Sequence, residues 1–250
     1  MQKKLNKNNF LNILNQKKVM FIFDYDGTLV KLERSHNEAK LDEAQIKILN
    51  QLAQTKNTLV AIVTGRSFDN ISELLENKLS KNIMLYGTHG AEKGKAAKDE
   101  KLLDVLNSIK VELQEEDYIF FEEKPISLTI HFNNHPEKEK LIFKLEKIAA
   151  RFSDLFRIQK GHLVFEFLPK DINKGLAIKD LQAKFPDYFL SFWGDDLTDN
   201  FGFKVINELG GLSIQVSDRL REIEAGYLID SVDSTYDLIN AYLEKIHESN

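Results

Sequence analysis

Residues 19–23 read Val-Met-Phe-Ile-Phe, apolar without a break, and Asp24-Tyr25-Asp26-Gly27 follows directly. So short a run with no alternation, ended by turn residues, predicts a strand buried on both faces. Such strands belong to parallel sheets covered by helices. Sheets of that kind bind ligands at the carboxyl ends of their strands. Three further runs have the same form. Residues 59–63 lead into Thr64-Gly65-Arg66-Ser67, and 83–86 into Gly87-Thr88-His89-Gly90. Residues 188–193 lead into Gly194-Asp195-Asp196-Leu197-Thr198-Asp199. In a parallel sheet these polar clusters share one edge and converge, far apart though they are in the chain. Amphipathic helices are expected near 10–14, 42–54, 68–75 and 173–181, with Ser67 as a cap. Further strands are expected at 212–216 and 227–229, then a terminal helix capped by Ser234.

At about Gly94 the pattern changes. A small, charged linker at 94–100 leads to a helix at 102–109, strands at 118–123 and 126–132, a helix from Pro136 to 151, and strands at 155–159 and 162–167. This is helix-strand-strand given twice, and the short connections imply antiparallel hairpins. The expected fold class is α/β: a Rossmann-like parallel-sheet core, residues 1–93 and 168–250, with an inserted α+β (αββ-αββ) domain at 94–167. Residues 31–40 are polar and expected to form a loop.

Composition narrows the function. The net charge of −5 argues against nucleic acid as a partner. It also requires that any anionic substrate be held by local cations or a metal. The chain has no cysteine, which excludes disulfides and thiolate chemistry. No apolar run is long enough for a signal or membrane segment, so a cytoplasmic protein without membrane contact is expected.

The clusters suit phosphoryl chemistry. Asp24, the main-chain carbonyl of Asp26 and Asp195 form an oxygen-only set suited to Mg²⁺, which takes few protein carboxylates and keeps places for phosphate oxygens. An aspartate can also serve as a nucleophile through an aspartyl-phosphate. Thr64 can donate to a phosphoryl oxygen, as can backbone N–H groups at the following helix start. Lys174 can neutralise phosphoryl charge. Asp196 and Asp199 can order metal-bound water. Read singly, each cluster also suits a turn, a solvated lysine or an acidic helix start. Their joint place at one edge favours a site.

The ordered series DYDGTL (24–29), TGR (64–66), NKG (173–175) and GDDLTD (194–199) resembles the four motifs of the haloacid dehalogenase superfamily of phosphohydrolases. The insert resembles that superfamily's C2B cap. GTHGAE at 87–92, EEKPISLTIHF at 122–132 and EFLP at 166–169 resemble its trehalose-6-phosphate phosphatase family. The resemblance implies that Asp24 is the nucleophile and Asp26 the general acid/base. It implies Mg²⁺ on Asp24, Asp26 and Asp195, with Thr64 and Lys174 orienting the phosphoryl group. Arg66, His89 and Gly90 would lie near the site and bind substrate, and Lys124 and Glu166 would grip the disaccharide. Two positions depart from the family: His162, where lysine is usual, and Asn133, where arginine is usual. Lys160 is the expected substitute for the missing cation. The implied reaction is hydrolysis of trehalose 6-phosphate. Another sugar phosphate, of the sucrose-phosphate or mannosyl-phosphoglycerate type, is the nearer alternative. A phosphomutase and a non-catalytic sensor are the more distant ones. Any trehalose-phosphate synthase is expected to be a separate protein. Hinges are expected at Gly94 and Leu168.

Overall fold

The computed structural model describes residues 2–32, 39–76, 78–93, 99–161, 163–217 and 223–248. The middle of the expected 31–40 loop, the linker at 94–98 with Gly94, and His162 lie outside them. The chain divides into two compact units, Met1–Gly94 with Asn173–Asn250, and Lys95–Ile172.

The core unit holds a seven-stranded sheet: β1 (Lys3–Lys4), β2 (Val19–Phe23), β3 (Thr58–Val63), β4 (Ile83–Tyr86), β9 (Phe189–Gly194), β10 (Leu212–Val216) and β11 (Tyr227–Ile229). Its spatial order is β1-β11-β10-β9-β2-β3-β4, and every pairing is parallel. From β2 the chain first builds outward through β3 and β4, then returns to the other side with β9. The strand order therefore reverses between β2 and β9, where such sheets place a ligand crevice.

The unbroken apolar run of β2 is explained by its two covered faces. Phe21 and Phe23 pack with Trp193 and with Phe10 and Leu14 of α1 (Lys7–Leu14), Leu49 and Leu52 of α2 (Glu43–Gln54), Ile71 of α3 (Phe68–Leu75) and Ile239 of α8 (Val232–Glu248). Met20 and Ile22 point the other way. They join Ile178 and Leu181 of α6 (Lys174–Lys184) and Phe203 and Ile206 of α7 (Asn200–Glu208). Each such side chain removed from water is worth about 1.5–3 kcal/mol.

The second unit carries α4 (Glu100–Glu112), β5 (Phe120–Glu123), β6 (Leu128–His131), α5 (Lys138–Arg151), β7 (Phe156–Gly161) and β8 (Val164–Pro169). Its sheet has the order β5-β6-β8-β7 and is antiparallel throughout. One face packs Leu128, Ile130, Phe165 and Phe167 against Ile109 of α4 and Leu145 and Ile148 of α5.

Three local expectations change. Leu168 lies inside β8, paired with Arg157, so it is buried strand, and the second unit extends to Ile172. The terminal helix begins at Val232, and its first turn is capped by Ser231, whose Oγ accepts from Ser234 N at 3.2 Å. Buried Val232 draws the helix start back from Ser234. The strand β1 was not expected, because two exposed lysines carry no apolar pattern. No helix among the described residues is long and apolar enough to cross a membrane.

Candidate active site

The site begins where β2 ends. Asp24 N still bonds Trp193 O at 2.8 Å, so Asp24 continues the ladder between β2 and β9. The chain then folds back tightly. Leu29 N and Val30 N both donate to Tyr25 O, and Gly27 N donates to Val30 O. Gly27 has φ +76°, and a Cβ there would sit 2.3 Å from Asp195 Cγ. The turn thus requires glycine for both its conformation and its approach to the acidic cluster.

Lys174 is the first residue of α6, whose cap Asn173 accepts from Leu176 N. Its side chain is 2% exposed. Nζ lies 2.6 Å from Asp24 Oδ1 and 2.6 Å from Asp199 Oδ1. Asp199, fully buried, also accepts from Asp195 N at 3.0 Å and Asp196 N at 3.1 Å through Oδ2. Asp199 thus ties Lys174 to the backbone that carries Asp195. Asp196 and Asp199 also form a capping box, a feature of the acidic helix start that was the other reading of 194–199. Asp196 is half-buried and accepts from Leu197 N.

One oxygen from each of Asp24, Asp195 and Asp199 lies within 4.8 Å of the others. Three buried carboxylates and one ammonium leave a deficit of positive charge. Burial is the main force pushing the Asp24 carboxyl up to about 7; Lys174 opposes it and Asp199 adds to it. Burial again leads at Asp195, raised to about 9, with Asp24 next. At Lys174 burial acts downward, but Asp199 and Asp24 outweigh it and hold the ammonium charged. Among the described residues nothing hydrogen-bonds the Asp195 carboxylate. An oxygen-only cluster of three buried carboxylates fits a hard divalent cation.

Asp26 stands apart from the cluster. Arg66 Nε and Nη2 grip its Oδ2 and Oδ1, each at 2.7 Å, and Nη1 donates to Asn70 Oδ1 at 3.0 Å. Thr64 is buried at the end of β3, and its Oγ1 accepts from Arg66 N at 3.2 Å. His89 is buried against Gly65, and Gly90 follows in the same turn. The core edge thus unites Asp24, Asp26, Thr64, Arg66, His89, Gly90, Lys174, Asp195, Asp196 and Asp199. Arg66, expected to bind substrate, has its guanidinium closed on Asp26.

In the second unit, cross-strand register aligns Glu122, Thr129, Glu166 and Gln159 in one row, on the face opposite the helices. Glu166 Oε1 receives Lys124 Nζ at 3.0 Å and Ser127 Oγ at 3.0 Å. A hydrogen bond with His131 holds the Glu122 carboxyl below its ordinary range, against the effect of burial. Lys124 and Glu166 are therefore together. Lys160 is not with them: it pairs with Phe165 in the sheet, and its Nζ lies 2.5 Å from Glu146 of α5. Strand parity sends it to the helix-covered face. Asn133 is exposed in a turn. Ser127, Gln159, His131 and Glu122 were not singled out from the sequence. The period-2 alternation of β5–β8 could have placed them, once the register was known.

The parallel sheet with its topological reversal, the strand-end aspartates and the buried lysine define a phosphohydrolase core of the haloacid dehalogenase type. The chain belongs to the trehalose-phosphatase family: the model of that family, described as trehalose-phosphatase, matches residues 22–227. The class makes it an enzyme, a phosphoric monoester hydrolase. It is 26% identical to the trehalose-6-phosphate phosphatase of Escherichia coli strain K12, over 93% of this chain and 91% of that one. It is 28% identical to a probable trehalose-phosphate phosphatase of Sinorhizobium fredii, over 87% and 85%. The fold is similar to the C-terminal domain of the C. albicans trehalose-6-phosphate phosphatase, with TM-score 0.77 and 21% identity over 98% of this chain and 99% of that one.

Proposed function

We propose that this enzyme hydrolyses trehalose 6-phosphate to trehalose and phosphate through an aspartyl-phosphate, an acyl phosphate on Asp24. The observation that carries the reading is the Asp24 carboxylate at the end of β2, with Lys174 Nζ 2.6 Å away and Asp195 in the same cluster. Asp24, Asp195 and the main-chain carbonyl of Asp26 would hold Mg²⁺. When bound, the cation supplies positive charge that neutralises phosphoryl oxygens and favours the ionised carboxylates. Asp24 attacks phosphorus as its carboxylate, and Asp26 gives a proton to the departing sugar oxygen. Asp26 then takes a proton from water, which attacks phosphorus, releases phosphate and frees Asp24. Lys174 is held charged and donates to the phosphoryl oxygens, and Thr64 adds a neutral donor.

We assign the reading of the sugar to the polar row of the second unit. Glu166 accepts from sugar hydroxyls and Lys124 donates to them, without Lys160. A site built to pair with hydroxyls rejects ligands lacking them, because its own polar groups are left unpaired. A trehalose-phosphate synthase would supply the substrate.

The test is phosphate release from a panel of phosphorylated sugars with Mg²⁺ present. Trehalose 6-phosphate should give the highest kcat/KM. A higher value for another sugar phosphate would move the specificity, and transfer of the label to a second sugar instead of water would make the enzyme a mutase.

A further inference from the structure

Behind the core edge lies a strained turn that the proposed chemistry does not use. Thr88 (φ 44°), His89 (φ 55°) and Gly90 (φ 100°) are three successive residues in the left-handed region. For a β-branched threonine this is costly, about 1–3 kcal/mol. Local bonds hold it there. Thr88 N donates to Arg66 O at 2.7 Å and His89 N to Thr64 O at 2.8 Å, so the turn grips the backbone on both sides of Gly65. The His89 ring covers Gly65 so closely that a Cβ there would lie 2.7 Å from Cε1. Glu92, 3% exposed, locks the arrangement. Its Oε2 accepts from Thr88 Oγ1 at 2.5 Å and from Phe68 N, the first helical donor of α3, at 2.8 Å. Glu92 also bridges back to Gly87 in the main chain.

The segment held in this way is Thr64–Phe68, and it carries Arg66. Arg66 is itself 5% exposed, with its fork closed on both oxygens of Asp26 and its third nitrogen on Asn70. A two-point guanidinium fork fixes the plane and direction of a carboxylate, which a point cation does not do. We infer that Arg66 is a positioning residue that aims Asp26, and that Glu92 with the Thr88-His89-Gly90 turn holds Arg66 for that task. The inference rests on the reading of Asp26 as the acid/base. It reassigns Arg66 and His89 from binding substrate to supporting the proton donor, and it gives the GTHGAE stretch a use.

Proton delivery matters in proportion to how poor the leaving group is. p-Nitrophenolate departs from phosphorus unaided, whereas a sugar alkoxide needs the proton. The experiment measures kcat and KM for p-nitrophenyl phosphate and for trehalose 6-phosphate in wild type, Asp26→Asn, Arg66→Lys, Glu92→Gln and Asn70→Ala. Each variant's melting temperature is recorded. Asp26→Asn should lose far more on the sugar ester than on the aryl ester, on the scale of about 10²–10⁴ for acid/base groups. Arg66→Lys keeps the charge but loses the fork. It and Glu92→Gln should each lose about tenfold more kcat on the sugar ester than on the aryl ester, with KM little changed. Asn70→Ala removes only the third bond, leaves the buried network in place and should show a smaller loss with the same selectivity, even if Glu92→Gln does not fold.

Equal losses on the two esters in Arg66→Lys, or a rise in KM alone, would overturn the inference and return Arg66 to substrate binding. If Asp26→Asn itself fails to discriminate between the esters, the acid/base reading falls and the inference falls with it. Discrimination by Asp26→Asn without discrimination by Arg66→Lys and Asn70→Ala removes the inference alone.

Discussion

In the core unit three buried carboxylates share one ammonium: Lys174 meets Asp24 and Asp199, and among the described residues nothing bonds the Asp195 carboxylate. In the second unit each carboxylate of the polar row has its own partner. Glu166 has Lys124 and Ser127, and Glu122 has His131. The acid/base equilibria follow: Asp24 and Asp195 are pushed up, while Glu122 is held down. A cluster left short of positive charge gains by taking up a cation. A row that neutralises itself gains nothing from a bare ion, and a ligand there must match its donors and acceptors. The first arrangement suits chemistry and the second suits discrimination.

That contrast is broken most directly at Asp24. Asp24→Asn should lower phosphate release at least about a hundredfold on both trehalose 6-phosphate and p-nitrophenyl phosphate, since loss of acid/base help alone typically costs about 10²–10⁴. Near-normal turnover on either ester would place the nucleophile elsewhere.

The charge deficit can be read without any substrate. Asp24 and Asp195 have folded-state values of about 7 and about 9 against an ordinary 3.8. Between those limits the folded chain binds more protons than the unfolded one, so stability falls as pH rises from about 4 to about 9. In chelator the melting temperature should drop by several degrees from pH 5 to pH 9, at about 2–4 °C per kcal/mol for a chain of this size. Mg²⁺, or the substitution Asp195→Asn, should flatten the slope. A melting temperature that climbs with pH in chelator would contradict the deficit.

The smallest effects belong to the second unit. Glu166→Ala and Lys124→Ala should each lower kcat/KM for trehalose 6-phosphate about tenfold, equal to about 1.4 kcal/mol. p-Nitrophenyl phosphate should be spared. Lys160→Ala should change neither substrate by more than about twofold, because its ammonium is turned to Glu146. Equal losses on both esters for Glu166→Ala would show that the row supports the fold or the core instead of reading sugar.

Much of the core was visible in the sequence because its strands are buried on both faces. Runs such as 19–23 and 59–63 declare themselves without any partner, and a parallel sheet then fixes which residues share an edge. Asp24, Thr64 and Asp195 were therefore placed together from sequence alone. What lay hidden depended on side-chain direction within that edge. Asp26 follows Asp24 by two residues, yet it turns to Arg66, and Asp199 binds Lys174. In the second unit the faces of the strands could not be told until the register was known. Gln159, which lies across from Glu166, and Lys160, which lies across from Phe165, are consecutive in the chain. The two-residue strand β1 left no trace, because it contributes backbone bonds and no buried side chain.

The pairing of Val19 with Phe189 in the middle of the core sheet bears on how the chain is made. The second unit's hairpins join near neighbours and can form as soon as they are synthesised. The core's central pair must wait for the whole insert to be completed, and long-range parallel pairing is slow to form. Until β9 arrives, one edge of β2 has no strand beside it, and Asp24 lacks Asp195 and Asp199 as neighbours. A nascent chain halted at that stage would present an apolar, unpaired strand, the kind of surface on which partly folded chains associate. The acidic cluster likewise assembles only after the insert, once Lys174, Asp195 and Asp199 have joined Asp24.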